Sequence, residues 1–422
     1  MTKRISMTGA NYKEVAASKP GRETELDGLR GLAALLVIFA HGIITFDFAL
    51  YSGDWHDSRV PWDVNVSGAP FLLPLAGNLS VCVFFALSGY VLSRSFSNTS
   101  LGSIALLFKR YTRFTPTILA ACLISYALLA GGLMENQRLA VVTKSTWLAR
   151  YMLQAPSLGW ALRDGSYRAL VALEPTPMPY DSVLWTMRYE FWGSVMLIAV
   201  FSLPGFRILC SKTCGLSRIL LLAALGAIGC TSYLGLFAFG ALLNLTQLHR
   251  KVGSRVAAIM LAVGLFLGTV PYSGTPWSIV RPFIVGTLPM VQWVPFPHSP
   301  ITFYHSLGAM LILVAAKSSL PFRTMLSSKS FQFLGEISYP LYLIHFPLLM
   351  SVVCSSALAL LHIGLPNSWT VALSLALFLA VSLLAAIGLL FVCDRPSIAL
   401  SSRVGLLTDR LVRRIIALSF RR

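Results

Sequence analysis

Long apolar blocks constrain this chain more than any other feature, because they recur along nearly its whole length. Each block covers about 17 to 25 residues, the length that a helix needs to cross a bilayer core of about 30 Å. Charged residues make up only 12% of the 422 residues and hydrophobic residues 56%, whereas a soluble domain carries about 25% charged residues. The sequence therefore predicts an all-α polytopic membrane protein.

Breaks between the blocks predict about ten transmembrane helices. A polar interruption at 231–233 divides the long block 218–248 into a hairpin of two helices. The polar stretch before the first block argues against a cleavable signal, since that block is itself long enough to span. The predicted helices cover 29–50, 75–96, 114–133, 183–203, the 218–248 pair, 256–270, 301–316, 332–361 and 369–393.

Basic residues cluster in the connections after every second predicted helix and account for a formal charge of +18. An excess of Lys and Arg marks the cytoplasmic side, so both termini are predicted to be cytoplasmic. No motif that reads RNA or DNA accompanies this charge, so nucleic acid is not an expected partner. Membrane lipids with anionic head groups, and an anionic ligand on the same side, suit the charge better. We expect a multi-pass protein of a cell membrane, by preference a bacterial inner membrane.

The first predicted helix carries two residues that are costly inside a membrane, Arg30 and His41. They are eleven residues apart, which returns the helix to within about 20° of the same face and places His41 about 16 Å deeper. Arg30 could instead extend to lipid phosphates, and His41 could bond to a neighbouring helix. A buried neutral imidazole also suits a general base that acts on a hydroxyl.

Three further polar residues stand out beside apolar segments. Arg110 and Arg113, in KRYTRFTP, could be ordinary cytoplasmic charge or a clamp for phosphates, which arginine binds in bidentate fashion. Glu190, in VLWTMRYEFWG near the outer start of its helix, could pair with an arginine, orient an imidazole or contact a polar acceptor.

The segment SYPLYLIHFP supplies two more candidates. His345 is interpreted as the only other histidine deep in an apolar block, where it could be a packing residue or part of the site. His345 and Tyr339 are both predicted to bind the substrate.

Cys210 and Cys214 lack companion ligands, so no metal site and no tightly bound cofactor are predicted.

Six motifs in order make the chain resemble the acyltransferase-3 family of membrane acyltransferases. They span about 25 to 396, nearly the whole sequence, and the last carries Asp394 where the family usually has glutamate. The motifs are ELDGLRGLAALLVIFAH, VFFALSGYVLSRSF, KRYTRFTP, VLWTMRYEFW, LGEISYPLYLIHFPL and CDRPS. Each is weak alone because it is largely apolar, but six in sequence are specific.

The resemblance implies transfer of an acyl group, commonly acetyl, from cytoplasmic acyl-CoA to a hydroxyl of a carbohydrate or glycolipid, often a cell-surface polysaccharide. It implies that His41 is catalytic with Arg30 beside it, and that Glu190 assists at the acceptor end. It also implies that Arg110 and Arg113 hold the phosphates of the donor. Whether His41 deprotonates the acceptor or first takes the acyl group is left open.

The predicted organisation is a polar segment 1–24, a membrane acyltransferase domain 25–396 and a basic cytoplasmic tail 397–422. Some relatives add an extracytoplasmic hydrolase-like domain that is not expected here, so transfer should finish within the helical bundle. Ten helices with buried charges would equally suit a transporter of an acyl donor or glycan, or a non-catalytic component of a polysaccharide assembly complex. The connections 134–182 and 271–300 are expected to shape the acceptor pocket.

Overall fold

The computed structural model describes residues 23–60, 62–69, 72–173, 180–202, 212–230, 232–270 and 300–419. Within these ranges the regular structure is helical throughout. Several predictions concern residues outside these ranges. They are the predicted polar segment up to residue 22, the connection 271–300 up to residue 299, Cys210 and the side chain of Cys214.

Eleven helices of at least 13 residues form the framework of the described chain. They are α1 (Thr24–Phe46), α2 (Gly77–Ser97), α3 (Ser103–Ala130), α4 (Trp185–Ser202), α5 (Lys212–Ile228), α6 (Leu234–Thr246), α7 (Ser254–Gly268), α8 (Pro300–Ser318), α9 (Lys329–Leu348), α10 (Asn367–Leu389) and α11 (Arg395–Ser419). Shorter α-helices are Ala49–Ser52, Asp63–Val66, Asn136–Thr143, Leu158–Arg163, Leu320–Leu326 and Cys354–His362. Single 3₁₀ turns are Trp55–Asp57, Leu73–Leu75, Leu148–Arg150, Ser182–Leu184 and Leu248–Lys251, and π-helical turns are Asp164–Arg168, Leu349–Val353 and Leu390–Asp394.

A helix occupies each of the ten predicted segments. Six helical segments in the described residues are long and apolar enough to cross a membrane, and α6 and α7 are shorter apolar helices. The hairpin predicted within 218–248 is present as α5 and α6. One boundary differs in a way that matters, because α3 begins at Ser103 rather than near 114. Arg110 and Arg113 therefore lie two turns inside a helix and not in a connection.

The central helix α1 packs against α9 with almost no space between the backbones. A methyl group added to Gly335 would lie 2.2 Å from the carbonyl oxygen of Asp27, and one added to Gly31 would lie 2.5 Å from the Gly335 nitrogen. Small residues permit such close crossings of membrane helices. The crossing holds the deeper parts of both helices, which carry His41 and His345, side by side.

An ion-pair cluster fixes the beginning of α1 to α8 and α2. The Lys317 ammonium lies 2.7 Å from carboxylate oxygens of both Glu23 and Glu25, and Arg94 lies 3.1 Å from Glu23. Lys317 and Glu25 are buried, and a buried charge is tolerated only when it is paired in this way.

The segment predicted as a basic tail forms helix α11 as far as Ser419. It is anchored to the end of the connection before α3, since the Gly102 amide donates to Asp409 Oδ1 over 2.8 Å and Arg413 donates to the Ser100 carbonyl over 3.0 Å. Five arginines share an arc of about 100° on this helix: Arg395, Arg403, Arg410, Arg413 and Arg414. Exposed apolar side chains form the adjacent face: Leu400, Leu407, Leu411, Ile415 and Leu418.

Candidate active site

Two cavities lie along the inner face of α1, and they share two wall residues, Val81 and Tyr342. We call the first the arginine cavity; it has a volume of about 270 Å³ and is lined by Arg30, Arg110, Arg113, Glu190 and Tyr339, among others. We call the second the histidine cavity; it has a volume of about 230 Å³ and is lined by His41, Asn78, Trp147, Tyr151 and Tyr233, among others. Arg30 and His41 thus face adjoining cavities, one above the other on one helix.

Arg30 lies at the open side of the arginine cavity. Its guanidinium is 3.5 Å from the Asp27 carboxylate one turn earlier, and its side chain is 35% exposed. This long ion pair at a half-exposed site contributes little to stability. Arg30 is therefore free to exchange water or its present partner for an anionic ligand.

Arg110 and Glu190 form the buried part of the arginine cavity. The Arg110 Nη2 group donates to Glu190 Oε1 over 2.8 Å, and the Ser88 hydroxyl donates to the same oxygen over 2.9 Å. Arg110 Nε donates to Ser194 Oγ over 3.1 Å, and the guanidinium stacks 4.4 Å above the Phe114 ring. Glu190 thus lies with the arginines, which differs from its expected place at the far, acceptor end.

Arg113 is held by the π-helical turn after α10 and by the first turn of α11. Its Nη1 donates to Asp394 Oδ1 over 2.7 Å and to Ser397 Oγ over 3.0 Å, and it lies 5.1 Å from the centre of the Tyr339 ring. The Asp394 side chain is only 4% exposed, while that of Arg113 is 22% exposed. A guanidinium has five N–H donors, so Arg113 can keep Asp394 and still bind an oxyanion.

His41 and His345 are joined directly, although they are 304 positions apart in the chain. His41 Nδ1 lies 2.8 Å from His345 Nε2, and the two ring planes differ by only 14°. His345 is completely buried, and its Nδ1 lies 3.2 Å from the carbonyl oxygen of Leu341. The sequence left open whether His345 is a packing residue or part of the site. The structure brings it into contact with His41.

The hydrogen-bond directions determine which nitrogen of His41 can act as a base. A carbonyl oxygen can only accept, so His345 Nδ1–H donates to Leu341 and His345 Nε2 keeps its lone pair. His41 Nδ1–H must then donate to His345 Nε2. The Nε2 atom of neutral His41 is left unprotonated, as a general base requires.

Aromatic rings surround the imidazole of His41. The Trp147 ring stacks on it at 5.4 Å with an angle of 27°, and Phe346 meets it edge-on at 6.1 Å. Trp147 and Tyr151 come from the connection 134–182, so this connection does line the cavity that holds His41. Such a wall of rings with a few polar groups is typical of sites that bind small organic molecules.

Comparison with known proteins shows to which enzyme family the chain belongs. A family model described as an acyltransferase domain, acyltransferase-3, matches residues 23–389. The chain belongs to this family. The prediction made from the six motifs is confirmed, and the protein is an acyltransferase rather than a transporter.

Three curated fungal proteins resemble this acyltransferase over most of their length. Acyltransferase clz18 of Cochliobolus lunatus is 25% identical over 81% of this chain and 85% of its own. Acyltransferase R4 of a Phoma species is 24% identical over 79% of this chain and 84% of its own. O-acetyltransferase PaAT-1 of Phomopsis amygdali is 24% identical over 77% of this chain and 71% of its own. No solved structure matches the acyltransferase significantly.

Sequence reasoning missed one buried histidine of this acyltransferase. His305 lies in α8, is 4% exposed and contacts Asn78 of the histidine cavity, so His345 is not the only other histidine deep in an apolar helix. The signal was present in the apolar segment ITFYHSLGAM. Asn78 carried no comparable signal, because a single amide at a helix start indicates neither burial nor chemistry.

Proposed function

We propose that this acyltransferase moves an acetyl group from acyl-CoA to a hydroxyl of a carbohydrate or glycolipid acceptor. The observation that carries the proposal is the His41–His345 pair beside the wall shared by the two cavities. The arginine cavity suits an anionic donor, and the histidine cavity suits an uncharged hydroxylic acceptor. A thioester that reaches past Val81 and Tyr342 would present its carbonyl carbon to the histidine cavity.

The proposed step is direct transfer with His41 as general base. His41 Nε2 takes the proton of the acceptor hydroxyl while its oxygen attacks the thioester carbonyl carbon, so a C–O bond forms. The C–S bond then breaks, and the leaving thiolate receives the proton from His41 Nε2–H. The products are an acetyl ester and free CoA. His345 Nε2 accepts from His41 Nδ1–H throughout and stabilises the imidazolium that forms between the two proton transfers.

Arg30, Arg110 and Arg113 are proposed to bind the donor's phosphates. Their positions at the end of the bundle where the basic connections cluster support a cytoplasmic donor and cytoplasmic termini. Each arginine has a carboxylate within 3.5 Å, namely Asp27, Glu190 and Asp394. These acids hold the guanidinium groups in place and prevent mutual repulsion when the donor is absent. Glu190 is thereby proposed to act as an organiser of the donor site.

The acceptor's ring is proposed to pack against the aromatic wall of the histidine cavity. The aromatic side chains of Trp147, Trp185 and Tyr233 line this cavity, and Ser182 supplies a polar atom. A sugar ring, with apolar C–H faces and a polar edge, matches that combination. The relative named O-acetyltransferase supports transfer to oxygen.

Membrane lipids are proposed as the partners of helix α11. Its arginine face and its exposed row of leucine and isoleucine side chains together suit an interface with anionic head groups. Hydrogen exchange over 400–419 in nanodiscs should slow when phosphatidylglycerol replaces half of the phosphatidylcholine. Equal exchange in both lipids would contradict this partner.

The experiment that tests the reaction uses purified protein in nanodiscs, radiolabelled acetyl-CoA and a panel of sugar and glycolipid acceptors. The His41→Ala variant should lose CoA release and labelled ester, whereas His362→Ala, at an exposed position, should retain both. Turnover in His41→Ala at the wild-type rate would refute the assignment. Label that stays on the protein when acceptor is withheld would replace direct transfer with an acyl-enzyme.

A further inference from the structure

A second buried series of hydrogen-bonded polar side chains reaches the histidine cavity from α8. His305 Nε2 lies 2.8 Å from the carbonyl oxygen of Val270, which can only accept, so this nitrogen carries the proton. His305 Nδ1 is consequently an acceptor, and it takes a hydrogen bond of 2.6 Å from the amide nitrogen of Asn78. The Tyr233 hydroxyl donates to Asn78 Oδ1 over 2.5 Å.

These contacts decide the orientation of the Asn78 amide. The oxygen is occupied by Tyr233, and one of the two amide protons is occupied by His305. The series of hydrogen bonds ends at the Val270 carbonyl, which can only accept. No member can therefore exchange its donor and acceptor atoms without breaking a bond. The Asn78 amide is therefore held with its second N–H in a fixed direction.

Asn78 and His41 line the same cavity. The residues that precede them, Gly77 and Ala40, are close neighbours. A methyl group added to Gly77 would lie 3.2 Å from the Ala40 side chain. The start of α2 thus places an oriented amide in the wall of the cavity that also holds the imidazole of α1.

We propose that the second N–H of Asn78 donates to the acyl carbonyl oxygen in the transition state, and that His305 is the positioning residue that orients it. This inference rests on the proposed function. As the acceptor oxygen attacks, the carbonyl oxygen gains negative charge, and a fixed amide proton stabilises that charge without reorganisation. Loss of one such donor lowers kcat by about 10²- to 10³-fold in other enzymes.

The direct test replaces Asn78. Asn78→Ala removes the donor, and Asn78→Asp keeps the size and the acceptor for Tyr233 but replaces the amide protons with a second oxygen. Both variants should lose about 10²- to 10³-fold in kcat, while the KM values for acetyl-CoA and acceptor change less than about threefold. Ser306→Ala is the matched control, because Ser306 is buried on α8 beside His305 and contacts Cys82 instead.

The positioning role is tested separately. His305→Leu should lower kcat without raising either KM, and His305→Gln should restore most of it, because a glutamine amide can also donate to Val270 and accept from Asn78. Thermal unfolding midpoints of all variants identify any that fail to fold. If Asn78→Ala or a His305 variant does not fold, the kcat of Asn78→Asp tests the proposal, since this substitution changes the fewest atoms.

The outcomes separate this inference from the proposed function. Wild-type kcat in folded Asn78→Ala and Asn78→Asp, with His41→Ala inactive, would overturn the inference alone. A lowered kcat in His305→Leu that His305→Gln does not restore would refute the positioning role. Full activity in His41→Ala would refute the proposed function itself.

Discussion

The bond between His41 and His345 makes a quantitative prediction about turnover. In His345→Leu the acceptor for His41 Nδ1–H is lost from a completely buried position. The bond strengthens when His41 becomes charged, and a hydrogen bond to a charged group contributes about 1.5–3 kcal/mol. The same bond to neutral His41 contributes about 0.5–1.5 kcal/mol, so only the difference of about 1–1.5 kcal/mol lowers the barrier. At about 1.36 kcal/mol for each factor of ten in rate, kcat should fall roughly 5- to 13-fold. The leucine fills the space, so packing should change little.

The assay follows CoA release in nanodiscs at saturating acetyl-CoA and acceptor. His345→Gln should retain more activity than His345→Leu, because the glutamine oxygen can accept from His41 while its nitrogen donates to the Leu341 carbonyl. His362→Leu is the matched control, since this exposed histidine lies on the helical segment that continues α9. A kcat for His345→Leu within threefold of wild type would refute the proposed role of the bond. Glutamine and leucine variants with equal rates would refute the tautomer argument.

Three further predictions address the donor site, the helix crossing and the connection after α1. Arg113→Ala should raise the KM for acetyl-CoA roughly 13- to 160-fold, from a lost charged hydrogen bond of about 1.5–3 kcal/mol, and leave the acceptor KM unchanged. Equal donor KM values for variant and wild type in initial-rate assays would show that Arg113 pairs only with Asp394. Gly335→Ala should destabilise the protein by about 1–3 kcal/mol in thermal or denaturant unfolding, because its methyl group would meet the Asp27 carbonyl. Gly388→Ala, inside the continuous helical segment of α10 and the π-helical turn after it and with open space around it, should instead stabilise the protein by about 0.5–1 kcal/mol, since alanine favours a helix over glycine. Burial raises the pKa of Asp63, but hydrogen bonds from the Ser58 hydroxyl and three backbone amides outweigh it and leave the pKa below its ordinary value. A lowered folded-state pKa stabilises the protein above the unfolded value of about 4, and this contribution disappears as pH falls through the folded pKa. Asp63→Asn should therefore lower the unfolding midpoint at pH 7 and reduce its decline toward pH 3; parallel curves for variant and wild type would contradict this.

The sequence by itself determined the helical architecture and the family. Helix formation and membrane insertion depend on local composition and periodicity, so apolar blocks of the right length indicate helices without knowledge of their neighbours. The break within 218–248 was readable for the same reason, and α5 and α6 confirm it. The beginning of α3 was misjudged, because Lys109, Arg110 and Arg113 follow its first, apolar turns and were interpreted as part of a connection. Local pattern does not reveal that Glu190 and Asp394, on other elements, pair with two of these charges inside the helix.

The candidate residues on one helix were also readable, since charge inside an apolar block is costly wherever the helix packs. Arg30 and His41 stood out in this way, and their separation along α1 leads them into two adjoining cavities. Glu190 stood out too, but its partner did not. Only the packing of α4 against α2 and α3 places its carboxylate beside Arg110 and Ser88.

Tertiary structure alone decided which polar groups meet. His41 and His345 are 304 positions apart, and Asn78 and His305 are 227 apart. Contacts over such separations depend on how closely two helices can approach, and that depends on glycines such as Gly335 meeting a backbone on the opposite helix. The sequence of one helix shows which of its polar residues are energetically unfavourable inside a membrane, because that depends on local chemistry. The partner that compensates each of them lies on another helix, and packing determines which residue that is.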